Sequence, residues 1–420
     1  MHKMNVSYSV KNNLCMGCGV CEDICPSSSI SVTLKNGQYK PIIDDVTCLN
    51  KKGCNKCFKI CPGKGIRLSE FSETLFPSEQ SDYYLGKYNS IYCGYSNEYE
   101  IRFHSASGGL LTQILIYLLE NEIISGAVVT TYDASSSSLF KPIIAKTKEE
   151  IIAARSSKYT QVSFSTIIKS LKEMDGKFVV VGLPCHIQAF REVESIDKLL
   201  KNKVFAYFGL YCSSGRTTNM TEYIFKDYGI HKEKLEYFAY RDEGCLGSLV
   251  AKESGSYDPI KKYTFQSYYQ PLRAIFEPKH CLTCIDYFAE LADVSFGDLH
   301  IKPYSDDKIG INSIIVRNAI FLEIINNMKA DNIISIKKLD KGTLLKAQQS
   351  VNLKKHRSAV FMKINKLFFL KNPIYDCSII PRNILKGIIA YIHTHIQIFI
   401  GQHKGLWGII KFIRKREKID

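Results

Sequence analysis

The stretch LCMGCGVCEDICP (residues 14–26) is the first of two cysteine runs, and TCLNKKGCNKCFKICP (residues 47–62) is the second. Each run closes on Cys-Pro. The first has the spacing C-x2-C-x2-C-x3-C-P, with Cys15, Cys18, Cys21 and Cys25. The second has C-x5-C-x2-C-x3-C-P, with Cys48, Cys54, Cys57 and Cys61. The second run therefore repeats the last two intervals and the closing Cys-Pro of the first, and widens the opening interval.

The first spacing is the pattern that holds a cubane 4Fe-4S cluster in bacterial ferredoxins. Two-cluster ferredoxins cross their ligands, because the turn with three cysteines wraps one cube while the fourth cysteine points away toward the other. We therefore predict a two-cluster head with crossed ligands. One cluster is assigned to Cys15, Cys18, Cys21 and Cys61, and the other to Cys48, Cys54, Cys57 and Cys25.

Zinc and disulfides are the alternative uses of these cysteines. C-x2-C pairs also build tetrahedral zinc sites, but two zinc sites would not need cysteine triplets followed by Cys-Pro. The N-terminal sequence MHKMNVSYSV lacks the apolar core of a signal peptide, and an intracellular chain keeps its thiols reduced. We therefore expect a cytoplasmic iron-sulfur protein.

The charge of the chain is concentrated at its C-terminal end. The net charge is +15, and residues 351–420 hold fourteen Lys and Arg against three Asp and Glu. That stretch therefore carries +11, and the first 350 residues carry only +4. A nucleic-acid groove on the body would need its cations there, so we predict no nucleic-acid partner.

The order of elements predicts an α+β ferredoxin-like head joined to an α/β body with a mixed sheet. Residues 71–90 are interpreted as a linker that wraps onto the next unit, and residues from 235 to about 276 as a small antiparallel layer. A helical tail completes the chain. The predicted units are the two-cluster head at 1–70, an N-terminal body region at 85–165, a C-terminal body region at 166–345 and the tail at 346–420.

Two polar turns are candidate ligand sites. Residues 105–109, Ser-Ala-Ser-Gly-Gly, open a helix whose free N–H groups and dipole suit a phosphate. A serine before a helix is also a good N-cap. The turn at 155–159, Arg-Ser-Ser-Lys-Tyr, offers cations and an aromatic face, and its alternative interpretation is a solvated turn.

Four further cysteines lie at candidate ligand positions. Cys185 follows a predicted buried strand, where α/β sheets bind ligands. Cys212 ends the next strand, and Cys281 and Cys284 form a C-x2-C pair. Buried structural thiols are one interpretation. A third iron-sulfur cluster is the other, because it needs four cysteines at such positions.

Six motifs in order resemble the beta-subunit family of coenzyme F420-reducing hydrogenase. They are SASGGLLTQIL, SSKY, VVVGLPCHIQAFR, GLYCSSG, YRDEGCLGS and CLTCIDYFAELADVSFGDL. The resemblance covers residues 10 to about 345 and implies a flavin enzyme that binds FAD, carries its own 4Fe-4S cluster and passes hydride between a deazaflavin and FAD. Similar single-chain proteins occur in bacteria without the deazaflavin, often beside polysaccharide-synthesis genes.

The resemblance also implies site residues. Flavin or substrate would contact Ser107, Gly108, Gly109, Ser157, Lys158, Tyr159, Gly182 and Pro184. The third cluster would use Cys185, Cys212, Cys281 and Cys284. The predicted function is an iron-sulfur flavoprotein oxidoreductase. The alternative is an electron-relay subunit with no substrate of its own, serving a redox partner.

The catalytic acid or base is not predicted, and Lys158 and His186 are candidates only. A histidine at a helix start more often makes a local hydrogen bond than donates a proton, and Lys158 suits a phosphate or carboxylate. No acid-base role is therefore assigned from the sequence.

The tail is predicted to form two amphipathic helices with a basic end. Its apolar positions are Leu385, Ile388, Ile389, Ile392, Ile396 and Phe399, and its basic cluster is Lys411, Arg414, Lys415, Arg416 and Lys418. His393, His395 and Gln397 interrupt the apolar run, which argues against a membrane span. Peripheral binding to an anionic membrane and docking on the body are the two interpretations.

Overall fold

The two cysteine runs lie on either side of a β-hairpin. The computed structural model describes residues 4–255, 257 and 260–416, with the side chains at 352–353 and 413–416 excepted. The head elements are α1 (Ser7–Lys11), α2 (Val20–Asp23), β1 (Ile30–Lys35), β2 (Gln38–Ile43), α3 (Lys56–Lys59) and β3 (Gly65–Ile66). β1 and β2 pair antiparallel from Ile30 with Ile43 to Lys35 with Gln38. The hairpin thus fills the interval between the two runs.

The segment interpreted as a linker is structured instead. It contains most of α4 (Leu68–Leu75), then β4 (Gln80–Asp82) and β5 (Gly86–Tyr88), which pair antiparallel. Phe76, Leu85 and Tyr88 are buried, Leu85 completely. Because these apolar side chains are buried against the body, the segment is ordered along the body surface.

A mixed sheet of eight strands forms the centre of the body. The elements in chain order are β6 (Ser90–Ser96), α5 (Tyr99–Phe103), α6 (Leu110–Glu120), β7 (Gly126–Tyr132), β8 (Phe140–Ala145), α7 (Lys148–Ala153), α8 (Ile167–Glu173), β9 (Phe178–Gly182), α9 (Pro184–Glu194), α10 (Lys198–Lys203), β10 (Val204–Leu210), α11 (Asn219–Tyr228), β11 (Leu235–Asp242), β12 (Ser248–Glu253), β13 (Ile260–Thr264), α12 (Phe265–Leu272), β14 (Val294–Asp298), β15 (Asn312–Val316), α13 (Ile320–Ala330) and β16 (Ile334–Lys338). The strand order in the sheet is β16-β6-β15-β14-β10-β9-β7-β8. This confirms the predicted α/β body with a mixed sheet.

The middle of the sheet is parallel and sets the position of the site. β7, β9, β10 and β14 run in one direction, and the outer strands pair antiparallel. The carboxyl ends of the parallel strands therefore meet at one edge, which is where such sheets bind ligands. Gly182, Leu210 and Asp298 end their strands at this edge.

Hydrophobic cores cover both faces of the sheet. Val179 of β9 and Phe208 of β10 pack into one core, while their neighbours Val180 and Tyr207 pack into the other. Successive side chains of a strand point to opposite faces, so a strand buried on both sides needs an unbroken apolar run. The sequence FVVVG of β9 meets this requirement.

The small antiparallel layer lies in the order β11-β12-β13, and α12 follows it. The layer belongs to the same core as the head, because Phe238, Tyr240 and Leu249 share that core with Val20 and Ile60. The head is therefore packed into the body along one continuous apolar interior.

The tail is helical, as predicted, and contains more structure than the sequence indicated. α14 (Lys341–Ala347) leads into it, and its elements are α15 (Ser350–Leu367), β17 (Ile374–Tyr375), α16 (Ile384–Gln402) and α17 (Trp407–Arg416). β17 pairs with β3 of the head in parallel, and the Asp376 carboxylate accepts backbone N–H bonds from Ser69 and Glu70 at 2.9 Å. The tail thus returns to the head.

Candidate redox centre

The head brings its eight cysteines together in two crossed sets. They are Cys15, Cys18, Cys21 and Cys61, and Cys25, Cys48, Cys54 and Cys57. Burial raises the pKa of Cys21 well above its ordinary value, and the thiols of its own set raise it further. Burial also raises the pKa of Cys57 to about 11, with Cys25 the first thiol to add to it. Buried thiols with raised pKa values must release their protons to bind iron as thiolates. The binding of iron by either cysteine set therefore depends on pH.

Glycines let the first cysteine turn approach its surroundings closely. Gly17 has φ +71°, and a Cβ there would lie 2.7 Å from the carbonyl oxygen of Tyr39. Gly19 has φ +86°, and its Cβ would lie 2.6 Å from the backbone nitrogen of Ser165. Both positions need a left-handed backbone and no side chain, which explains Gly as the residue after Met16 and after Cys18.

Polar contacts fix the head on the body beside this turn. Gln161 donates from Nε2 to the Met16 carbonyl at 2.7 Å and accepts the Tyr39 N–H at 2.6 Å. The Phe164 N–H donates to the Cys18 carbonyl at 2.8 Å. These bonds join residues more than a hundred positions apart and hold the first cysteine set against the body.

The structure also brings the four remaining candidate ligands together. Cys185 is the second residue of α9, Cys212 follows β10, Cys281 lies in a 3-10 turn at Lys279–Thr283, and Cys284 follows that turn. Burial raises the pKa of Cys185 well above its ordinary value. The thiols that raise it further are Cys212, Cys284, Cys18 and Cys281. Because Cys18 belongs to the first head set, the third set lies beside the head.

Two buried cations adjoin this third set. Lys354 donates from Nζ to the carbonyls of Cys212 at 2.7 Å and Asp286 at 2.6 Å. The Gly215 N–H donates to Cys281 Sγ at 3.2 Å, and the next residue, Arg216, is buried. Cations and N–H donors at thiolate sulfur stabilise the anionic charge of a cluster, and both raise its reduction potential.

A zinc ion and a cube place different demands on the thiols that bind them. Zinc gathers four ligands around one ion, whereas a cube binds each thiolate at a different iron atom. Within residues 4–255, 257 and 260–416, no three His, Cys, Asp or Glu side chains converge on a position for one ion. Cys281 is buried and Cys185, Cys212 and Cys284 are half-buried, and this set with its N–H and cationic neighbours suits a cube.

A cavity of about 520 Å³ opens from the third cysteine set. Its wall includes the predicted residues Ser107, Gly109, Ser157, Lys158, Tyr159, Gly182 and Pro184, together with Cys185, Cys212, Cys281 and Cys284. This volume is typical of sites for organic cofactors. The carboxyl edge of the parallel strands forms its floor.

Gly108 is the predicted cofactor residue that the structure places elsewhere. It is not part of the cavity wall, and a Cβ on it would lie 2.7 Å from the Gly94 carbonyl oxygen and 2.8 Å from the Asn312 nitrogen. Its neighbour Gly109 does line the cavity, with φ +75°, at the start of α6. Gly108 therefore serves the close packing of the turn on β6 and β15.

Lys158 lies in the wall, but its ammonium is directed into the protein. Nζ donates to the carbonyls of Arg155 at 2.6 Å and Ser156 at 2.9 Å, and also to that of Ala154. Burial lowers the pKa of Lys158 to about 7, and the Arg155 charge lowers it further. Its position caps the end of α7, which differs from the predicted contact with a phosphate or carboxylate.

His186 makes the local contacts that a helix-start histidine is expected to make. Its Nδ1 accepts the Leu183 N–H at 3.3 Å, and its ring stacks on Phe164 with centroids 4.3 Å apart. Burial lowers the pKa of His186 to about 4. The ring is therefore neutral at pH 7 and serves as packing beside Cys185.

A buried ion-pair cluster in the wall was missed by the sequence reasoning. Arg241 donates from Nη1 to Asp298 Oδ2 at 2.7 Å, and His300 Nε2 lies 2.8 Å from the same oxygen. Arg241 also donates to the carbonyls of Leu246, at 2.7 Å, and Ala106. Burial raises the pKa of Asp298, but Arg241 and His300 outweigh it and hold that pKa well below its usual range. The signal was present in the motifs YRDEGCLGS and VSFGDLH, which lie far apart in sequence.

These features define an iron-sulfur protein with a cofactor-sized cavity at the carboxyl edge of a mixed α/β sheet. Residues 91–169 match the family of the N-terminal part of the coenzyme F420 hydrogenase/dehydrogenase beta subunit, and residues 175–342 match the family of its C-terminal part. Residues 8–31 match the 4Fe-4S binding domain. The chain belongs to the coenzyme F420 hydrogenase/dehydrogenase beta-subunit family, an oxidoreductase family, and its head is of the 4Fe-4S type.

Named relatives cover much of the chain. The coenzyme F420-dependent sulfite reductase of Methanocaldococcus jannaschii is 26% identical over 83% of this chain, which spans 51% of that protein. The beta subunit of the coenzyme F420 hydrogenase of Methanosarcina barkeri is 27% identical, over 62% of this chain and 85% of that protein. A chain of the F420-reducing [NiFe] hydrogenase complex from Methanosarcina barkeri superposes with a TM-score of 0.53 at 23% identity, over 70% of this chain and 98% of that one. The likeness supports the fold.

Proposed function

We propose that the protein is an FAD-dependent iron-sulfur oxidoreductase with three 4Fe-4S clusters. Electrons pass between the head clusters, the third cluster and FAD, and a hydride donor or acceptor resembling coenzyme F420 reacts at the flavin. The observation that carries this proposal is the position of Cys185, which lies beside Cys18 of the head and also in the cavity wall. One site thus joins the head to the cavity.

The cavity wall supports a flavin in chemical terms. Gly182 and Pro184 leave the strand end open to a ring, and Tyr159 supplies an aromatic face. Arg155 and Arg273 line the wall and, among the described residues, form no ion pair, so they are free to meet a pyrophosphate. A bound flavin exchanges single electrons with clusters and two electrons with a hydride donor.

Anaerobic purification tests the flavin directly. The protein should show flavin absorbance besides the brown iron-sulfur absorbance, and denaturation should release FAD. A paired Arg155→Met and Arg273→Met variant should retain the iron and lose at least about tenfold in FAD affinity, because charge-assisted bonds to phosphate are lost. Arg67→Met, at an exposed ion pair away from the cavity, is the control.

A brown protein without flavin would contradict this proposal and favour the electron-relay subunit. The observation that keeps the relay as a second candidate is the exposed side of the second head set, where Cys48 and Cys54 are half-buried. A relay would pass electrons from one protein to another and leave hydride donors unoxidised. Screening reduced deazaflavin, nicotinamide cofactors and reduced ferredoxin as donors separates the two.

The redox partner is proposed to be a small acidic electron carrier. Four exposed lysines border the second head set, and none of them forms an ion pair with a described residue: Lys51, Lys52, Lys56 and Lys59. Of the two carboxylates nearest in sequence, Asp44 is occupied by the Thr47 hydroxyl and the Val46 N–H, and Asp45 is a single exposed acid against the four lysines. Complementary charge steers such a carrier to the exposed cluster.

Charge reversal tests this docking site. Lys51→Glu with Lys56→Glu should slow reduction by an acidic ferredoxin or flavodoxin about tenfold at low salt, with a smaller effect at high salt. Stopped-flow absorbance follows the rate. Lys146→Glu with Lys232→Glu, two exposed lysines elsewhere, should leave the rate unchanged. Equal rates for both variants would show that the lysines play no part in docking.

The proposed location is the cytoplasm, with peripheral contact at the inner face of the membrane. None of the fifteen cysteines is paired in a disulfide, and a reducing cytoplasm keeps cysteines in that state. Any contact with the membrane would involve the basic tail. Lys418 lies outside the described residues, as do the side chains of Arg414, Lys415 and Arg416.

A further inference from the structure

Helix α16 leaves one apolar side uncovered. Its exposed apolar residues recur at intervals of three and four, which places them on one side of a helix. They are Leu385, Ile388, Ile389, Ile392, Ile396 and Phe399, with Leu385 79% and Ile389 70% exposed. The opposite side is buried on the body, through residues that include Thr394, Ile398 and Gly401. The helix is therefore attached along one side and bare along the other.

A second apolar element lies next to this helix. The turn after α15, residues 367–370, exposes Leu-Phe-Phe-Leu, and Phe369 is 93% exposed. Asn365 holds the turn, because its carbonyl accepts the Leu370 N–H at 2.8 Å and its Oδ1 accepts the Tyr391 hydroxyl of α16 at 2.9 Å. Helix and turn are thus one fixed surface, named here the docking face.

The docking face is rimmed by positive charge. The exposed cations on and around it are Lys363, Lys366, Lys371, Arg382 and Lys386, and none of the five forms an ion pair with a described residue. The sole acidic residue between 351 and 416, Asp376, is occupied by backbone N–H groups of the head. An apolar surface inside an uncompensated basic rim matches the headgroups and acyl boundary of an anionic bilayer.

The same charge disfavours a second copy of the chain as the occupant, because two basic rims would repel each other. A membrane-spanning helix is disfavoured by packing. α16 has the length and composition to cross a bilayer, with a mean hydropathy of 1.3, and 22% of that window is buried in the protein. The Gly401 carbonyl accepts a bond from Asn219 at 3.1 Å, and a Cβ on Gly401 would lie 2.1 Å from the Ile275 oxygen. Crossing the bilayer would break this contact.

We propose that α16 and the turn at 367–370 form a monotopic anchor that lies flat in the headgroup region of an anionic membrane. The apolar side chains enter the acyl boundary, and the lysines and Arg382 meet lipid phosphates. This anchor does not depend on the redox proposal, so either can fail without the other.

Vesicle sedimentation of the full-length, cluster-loaded protein tests the anchor. The protein should sediment with phosphatidylcholine vesicles that contain phosphatidylglycerol, and far less with phosphatidylcholine alone. Raising the salt concentration should weaken binding at least about tenfold, since several cations contribute. Alkaline carbonate should release the bound protein. Absence of binding at low salt, or retention after carbonate, would overturn the proposal.

Point variants locate the binding to the docking face. Phe368→Ser with Phe369→Ser, and Ile389→Ser with Ile392→Ser, should each weaken binding at least about tenfold through lost apolar insertion. Val46→Ser with Ile196→Ser, two exposed apolar residues elsewhere, is the matched control. Iron-sulfur absorbance should be unchanged in all three, which shows that they fold.

Unchanged vesicle binding in both docking-face variants would overturn the proposal. So would a dimer of the parent protein that these variants dissociate, because the face would then be a contact between copies. Deleting the tail is a poorer test, since Trp407 and Ile410 of α17 are buried in the main core.

Discussion

Replacing Cys281 and Cys284 by serine should remove about four of the roughly twelve irons expected per chain from three cubes. The two cysteines supply half of the third set, and serine does not replace a thiolate at iron. The head sets share no residue with this pair, so their eight irons should stay. Iron analysis and the electron paramagnetic resonance spectrum of the reduced protein measure the loss.

The same variant should separate the head from the flavin. Dithionite should still reduce the head clusters, whereas reduction of the flavin by way of the head should fall by at least about a hundredfold. Cys377→Ser is the matched control, because this half-buried cysteine lies outside the three sets. A wild-type protein with about eight irons, unchanged in the variant, would show that the cysteines of the third set are structural.

Replacing Arg241 by methionine should destabilise the fold by about 3 kcal/mol or more, the usual effect of breaking a buried ion pair. The Arg241 side chain is 3% exposed, and its loss leaves the Asp298 carboxylate without its guanidinium partner and with only the His300 ring beside it. Thermal unfolding under anaerobic conditions measures the loss. Arg67→Met, at the exposed pair with Glu70, should change stability by less than about 1 kcal/mol.

The pH dependence of this effect has a definite sign. The folded-state pKa of Asp298 is held below its usual range, so the pair stabilises the protein above about pH 4 and the contribution is lost as pH falls toward the folded pKa. The loss in the free energy of unfolding caused by Arg241→Met should therefore be largest at neutral pH and become smaller in acid. A deficit that is constant with pH would indicate lost packing instead of a lost ion pair.

The parts of the fold that depend on local pattern could be predicted from the sequence. The mixed α/β body was predicted from the order of strands and helices and from apolar runs such as that of β9, and the helical tail from the periodicity of α16. The structure confirms both. The crossed cysteine sets follow from spacing, and the third set from strand-end positions and a C-x2-C pair. The 4Fe-4S type of the head is confirmed by the family match of residues 8–31, whereas the ligand sets, the third cluster and the division of the chain into four units stay predictions.

The remainder depends on contacts between distant residues. Arg241 forms an ion pair with Asp298, 57 positions further along the chain. The sequence around either residue does not predict this contact. Gly108 and Lys158 were assigned to a ligand by family resemblance, but Gly108 is required by close packing, and the Lys158 ammonium contacts the carbonyls of the turn that follows α7. Residues 71–90 have a loop-like composition, yet a few buried side chains order them.

Val20 and Ile60 of the head are buried in the main core of the body, so the head is not a separate module that moves independently of it. A ferredoxin domain on a flexible linker would have to move to its docking site before each electron transfer. The rate of that transfer would then depend on the viscosity of the solvent. Here the first cysteine set is held beside Cys185 by Gln161 and the Phe164 backbone. In the proposed relay the distance between the first and third cysteine sets would therefore be fixed, and only the reduction of the second head set by its partner would depend on diffusion.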